Sequence, residues 1–175
     1  MVTRRAPIVA ALALVVAGCG AAAAPPPASE ASSRPESVAP SPSGEGTPDD
    51  KAAAASSYFS ALSTYIAAVE EAGPDCATAT LVAQRRCFEA ASSALERFGS
   101  RIRSIDLPAE VTADVEALFV DIAILGELLA GARDEGSIDR LTSHWWPQID
   151  PADVAVLEAA DVVRVGLGLP PVTSD

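Results

Sequence analysis

The chain has 175 residues, a formal net charge of −12, 49 % apolar and 5 % aromatic residues, three cysteines, one histidine and no asparagine. That length holds one ordinary domain. An Ala-rich composition, with eleven Arg to one Lys inside an acidic total, excludes a collagen-like chain, a disulfide-dense scaffold and a basic nucleic-acid-binding domain.

Residues 1–18 read as a signal peptide: Arg4 and Arg5, an apolar run over 8–17, then Gly18. A membrane-spanning helix needs about 20 apolar residues, so the run is a leader core and does not span. Val16-Ala17-Gly18-Cys19 has the form of the lipobox of bacterial lipoproteins, in which the cysteine thiol is alkylated by diacylglycerol and the chain is cut on its amino side. Cys19 is the expected lipidation site, carrying acyl chains such as palmitate. Two acyl chains plus an acylated amine exceed the single lipid that binds only reversibly. The expected location is the extracytoplasmic face of the cell membrane, held by the lipid anchor. Cleavage leaves 10 basic and 24 acidic residues, a net −14, so charge draws the mature chain to neither nucleic acid nor anionic lipid.

Residues 19–50 are the lipidated cysteine and a Pro/Ala/Ser tether, with Val38 its only larger apolar residue. That composition buries too little surface to offset the entropy of ordering, so disorder is expected. Its prolines favour extended polyproline II stretches, a spacer with a reach on the order of tens of Å.

Residues 51–175 form the expected domain, with 9 basic and 19 acidic residues. A first helix is predicted over about 50–72, its apolar stripe being Ala55, Phe59, Leu62, Ile66 and Val69, with Gly73-Pro74 as the stop. A second runs through Leu81, Phe88, Ala91, Leu95, Phe98, Ile102 and Ile105, with a kink allowed at Gly99. A third starts at Pro108, carries Val111, Val115, Leu118, Ile122, Leu125 and Leu129, and ends at Gly131. Ile138, Leu141 and Trp145 suggest a short helix stopped by Pro147, and Asp150-Pro151-Ala152-Asp153 starts another that continues to about Val165. The expected fold is all-α: a four-helix up-down bundle whose last element is split into two shorter helices. Its Ala-rich stripes imply close helix approach and argue against a bulky buried cofactor.

With Cys19 lipidated, Cys76 and Cys87 are left as a pair in an exported chain, where oxidation is expected. One straight helix would hold them about 16 Å apart, so a disulfide requires Cys76 to lie in the loop after Gly73-Pro74. Two free thiols or a redox pair are the alternative. Arg85, Arg86, Arg97, Arg101 and Arg103 crowd the second run, and Glu110, Asp114, Glu116, Asp121 and Glu127 the third. Complementary flanks of neighbouring helices explain this arrangement; an anion site and a cation site are the functional alternative.

Ser143-His144-Trp145-Trp146-Pro147 holds the only histidine and both tryptophans. Either the indoles cover the end of the bundle, or His144, Trp145 and Trp146, with Tyr58 and Tyr65, line a ligand cleft. No Glu-x-x-His, Cys-x-x-Cys-His, Gly-rich phosphate loop or Gly-x-Ser-x-Gly occurs, so neither enzyme activity, nor a cofactor, nor a metal is expected.

The lipobox, the Pro/Ala tether, the Ala-rich opening helix with Tyr58 and Tyr65, the Leu-Pro start of the third helix, and the ending Arg164 to Pro171 with Gly166-Leu167-Gly168-Leu169-Pro170-Pro171 together resemble a group of small uncharacterised actinobacterial lipoproteins. The resemblance implies export, an outer-leaflet anchor and a helical domain, and no catalytic residues. The expected function is a non-enzymatic, envelope-anchored helical interaction module that contacts another envelope protein or a cell-wall component. The alternative is a carrier or sensor of a small apolar or cationic ligand near Trp145 and Trp146.

Overall fold

The computed structural model describes residues 47–171. The signal peptide, Cys19 and the tether up to residue 46 lie outside the described residues. The described chain is a four-helix bundle: α1 (Pro48–Cys76), α2 (Leu81–Arg103), α3 (Thr112–Asp134), and a last element made of a short α4 (Ile138–Arg140), a π-helical turn and α5 (Trp146–Gly166). No strand occurs among the described residues. Short connections make successive helices antiparallel neighbours. α1 packs along α2, α2 along α3 and α3 along α5, while the backbones of α1 and α5 stand further apart. No described helix is long and apolar enough to cross a membrane.

α1 starts at Pro48, inside what reads as the end of the tether. The Thr47 hydroxyl accepts from the Asp50 amide at 3.3 Å, and the Thr47 amide donates to Asp50 Oδ2 at 3.0 Å. This reciprocal pair satisfies two helix-end donors that would otherwise be orphaned. Gly73-Pro74 does not stop the helix, which runs on to Cys76. A proline so near the end removes one ladder hydrogen bond and breaks nothing beyond it.

The face that α1 buries is also turned from the expected one. Ala54, Ala55, Tyr58, Ala61, Leu62, Tyr65 and Ala72 are buried, whereas Phe59, Ile66 and Val69 are half-buried. The alanines admit α2 closely, and the two tyrosines fill the wider seam towards α5.

In α2 the expected stripe goes inside: Phe88, Leu95, Phe98 and Ile102 are buried, and the helix is continuous through Gly99. A Cβ at Gly99 would stand 3.8 Å from Ile122 and 3.9 Å from Phe119, ordinary contact distances, so the buried Gly99 lies against α3 with room for a methyl group. Pro108 precedes a 3-10 turn over Ala109–Val111 rather than opening α3 directly. α3 then passes through Gly131 to Asp134.

The last element departs most from expectation. It is divided, but not at Pro147 and Asp150: a π turn spans Leu141–Trp145, closed by the Trp146 amide donating to the Leu141 carbonyl, and α5 includes both prolines. Leu141 and Ile149, eight residues apart, are both buried. On a regular helix they would point about 80° apart. The extra residue absorbed in the π turn brings them nearly into line. At the far end Gly168 adopts φ 83°, Gly168 N–H bonds to the Val165 carbonyl at 2.9 Å and Leu169 N–H to the Arg164 carbonyl at 3.1 Å. This is the Schellman termination, which needs a left-handed residue. It gives Gly166-Leu167-Gly168-Leu169 a structural explanation.

Cys76 and Cys87 form a disulfide with their Cα atoms 5.1 Å apart. The pairing is as expected; its location differs, since Cys76 sits in the last turn of α1 and not in the following loop. Because α2 turns back alongside α1, residues eleven apart in sequence come together.

Candidate functional site

Tyr58 and Tyr65, seven residues apart on α1, share one face of the helix. The Tyr58 hydroxyl, fully buried, donates to the Ala160 carbonyl of α5 at 2.8 Å. Tyr65 donates to Asp153 Oδ1 at 3.1 Å and stacks on Phe98 with ring centroids 5.0 Å apart. Burial pushes both phenols well above their ordinary range, and the charges of Asp161 near Tyr58 and Asp153 near Tyr65 push the same way. Both rings therefore act as protonated donors that tie α1 to α5 across the widest seam of the bundle.

Asp153 is held above the usual carboxylate range by burial, against the hydrogen bond from Tyr65 and with added push from Asp150. Three turns further along α5, Arg164 is only 9 % exposed. Its guanidinium lies 3.8 Å from an Asp161 oxygen and 6.0 Å above the Phe59 ring, and its Nε has no hydrogen-bond partner.

The aromatic cluster lies against different residues. Trp145 packs over Gly131, where a Cβ would collide with the indole, and its Nε1 donates to Glu135 Oε2 at 3.3 Å. Trp146 meets Phe88 with ring centroids 5.1 Å apart and donates to Gln84 Oε1 at 3.4 Å. His144 is exposed and stands edge-on to Trp145 at 5.0 Å. The ring and hydrogen-bond partners of Tyr58 and Tyr65 share no residue with those of the tryptophans. The five residues read together as one cleft thus divide into a seam pair and an end-of-bundle group.

Two open hollows lie on α1 instead. One, of about 590 Å³, is lined by Asp50, Ser56, Ser57, Ser60, Arg101 and Ser104 among others; the second, of about 650 Å³, by Phe59, Ser63, Thr64, Ala67, Ala68 and Glu71 among others. Neither includes any of the five aromatic candidates. Among the described residues no group of three His, Cys, Asp or Glu side chains is placed to hold a metal.

The helices rich in arginine and acid are neighbours, but their charges do not meet. Among the described residues no salt bridge engages Arg85, Arg86, Arg97, Arg101 or Arg103. Arg85 donates to the Glu135 carbonyl at 2.9 Å, Arg101 to the Thr64 hydroxyl at 3.2 Å, and Arg103 lies 4.5 Å over the Phe119 ring. The expected complementary flanks are therefore corrected: aromatic, carbonyl and hydroxyl groups take three of the guanidinium groups.

Glu135 and Gln84 belong to no motif in the sequence, and Asp153 and Arg164 stand there only as a helix-start acid and as part of the chain's ending. Asp153 left a signal, because it completes the four-three-four-three series Ile149, Asp153, Val156, Ala160 and Val163. Glu135 left none: it accepts from Trp145, Arg140 and the amides of Gly136 and Ser137, a set that only the folded loop assembles. The hydrogen bond from Trp145, foremost, holds its carboxyl below the usual range. Comparison with protein-family models, curated proteins and solved structures finds no match.

Proposed function

We propose that the chain is a cell-envelope lipoprotein that presents a non-enzymatic helical interaction module outside the cytoplasmic membrane. The lipobox at Cys19 supports the anchor. The observation that carries the module is the exposed apolar surface of α3 and α5: Val120, Ile124, Val154, Val162 and Val165 are 48 to 59 % exposed. A single exposed apolar side chain needs no explanation, but five on two packed helices are what a contact surface leaves uncovered when alone. The partner is another envelope protein or a cell-wall component.

Two measurements test this reading. An acyl-chain analogue fed to cells should label the native chain and not Cys19→Ser. A photo-crosslinker at Val154 should give discrete adducts in whole cells, and uniform absence of adducts would remove the module reading. The alternative, a carrier of a small apolar or cationic ligand, draws on the half-buried Trp145 and Trp146. Their indole N–H groups are already bonded to Glu135 and Gln84, which favours packing. Tryptophan emission that stays constant through a lipid and metabolite titration would eliminate it.

A further inference from the structure

α2 stands apart electrostatically. It carries five arginines against two glutamates, inside a domain of 9 basic and 19 acidic residues. Arg86 and Arg97 are exposed and make neither a salt bridge nor a hydrogen bond among the described residues. They lie eleven residues apart, three helical turns and about 16.5 Å along one face. Between them at helical spacing come exposed Ala90 and half-buried Ser93, with exposed Glu89 at the margin of the face one turn from Arg86, so the middle of the face is a shallow strip of small side chains with a cation at each end.

The outer face of α3 is its counterpart. Glu116, Val120, Ile124 and Glu127 follow at spacings of four, four and three, all exposed, and α3 has no basic residue before Arg133. Glu116 and Glu127 are also eleven residues apart, about 16.5 Å. Val120 and Ile124, 59 and 48 % exposed, project between them. One strip thus has charge at its ends and bulk in the middle; the other has opposite charge at the same spacing and room in the middle.

We propose that a second copy of this chain docks its α3 face on the α2 face of the first, Glu116 and Glu127 pairing with Arg86 and Arg97 while Val120 and Ile124 seat over Ala90 and Ser93. This deepens the interaction-module reading and rests on it. The two strips lie on different helices, so the contact is heterologous and leaves a free α2 face at one end and a free α3 face at the other. Repetition gives a chain of copies, and confinement to a membrane surface raises the concentration at which they meet.

The test is sedimentation of the whole chain, in a density-matched detergent, from micromolar to millimolar concentration. The native mass should climb past a dimer with concentration. Arg86→Glu/Arg97→Glu and Glu116→Arg/Glu127→Arg should each weaken association by roughly tenfold or more. Mixing the two variants should restore it, because every contact in the mixture again joins opposite charges. Circular dichroism and thermal unfolding of each variant control for folding. A native chain that stays monomeric throughout, growth that halts at a dimer, or natively folded variants that fail to re-associate on mixing would each overturn the proposal. A monomer would leave the interaction-module reading to its own crosslinking test.

Discussion

Asp153 accepts a hydrogen bond from Tyr65 yet is held above its ordinary value of 3.8 by burial. A carboxyl whose pKa rises on folding binds its proton more tightly in the folded state. It thus contributes stability that is present below the unfolded pKa and is lost as pH rises through the folded one. At neutral pH the buried charge costs stability. Asp153→Asn keeps an acceptor for Tyr65 and removes the charge, so its Tm should exceed the native Tm at pH 7, with the gap closing as pH falls below the usual carboxylate range. Thermal melts over that span check this, and a variant less stable at neutral pH would reverse the assignment. Gly131 is the other residue on which local packing turns. Trp145 occupies the space of a Cβ there, so Gly131→Ala should destabilise by about 1–3 kcal/mol, as overpacking does, and shift the indole emission.

At the scale of elements, helix ends account for much of what the sequence signals meant. Thr47 and Asp50 form a reciprocal cap that opens α1 at Pro48, three residues ahead of the expected domain start, and Gly168 supplies the left-handed turn that ends α5. Gly168→Ala should cost about 1 kcal/mol, because an L side chain strains at positive φ; chemical denaturation with an unchanged slope is the measurement. The proline signals failed for a related reason. A proline near either end of a helix forfeits little, and the π turn before α5 resets the helix so that Leu141 and Ile149 both face inward. Tertiary burial outweighed the local stop.

For the whole molecule, the Cys76–Cys87 disulfide ties the end of α1 to the start of α2. Closing so short a loop restricts the unfolded chain by about 2–3 kcal/mol. The double variant Cys76→Ala/Cys87→Ala should therefore unfold at lower denaturant by that margin while keeping its helical circular dichroism. A fully native midpoint would show the link to be energetically idle. The opposite seam, between α1 and α5, is joined mainly by side chains: Tyr58 to Ala160, Tyr65 to Asp153 and Arg164 over Phe59. Hydrogen exchange should accordingly find earlier opening there than between α1 and α2.

Periodicity alone determined that this is an all-α bundle of four helices, and which sides of α2 and α3 go inside, because an apolar stripe has one energetically acceptable place. The cysteine count and spacing likewise pointed to the Cys76–Cys87 pair. The register of α1, the π turn, the surroundings of Trp145 and Trp146, and the separation of α2's arginines from α3's acids were decided only in three dimensions. Each depends on which side chain of a distant helix fills the space first. An indole over a glycine, a phenol reaching a carbonyl, or a guanidinium over a ring is a contact between residues far apart in sequence, and local spacing carries no record of it.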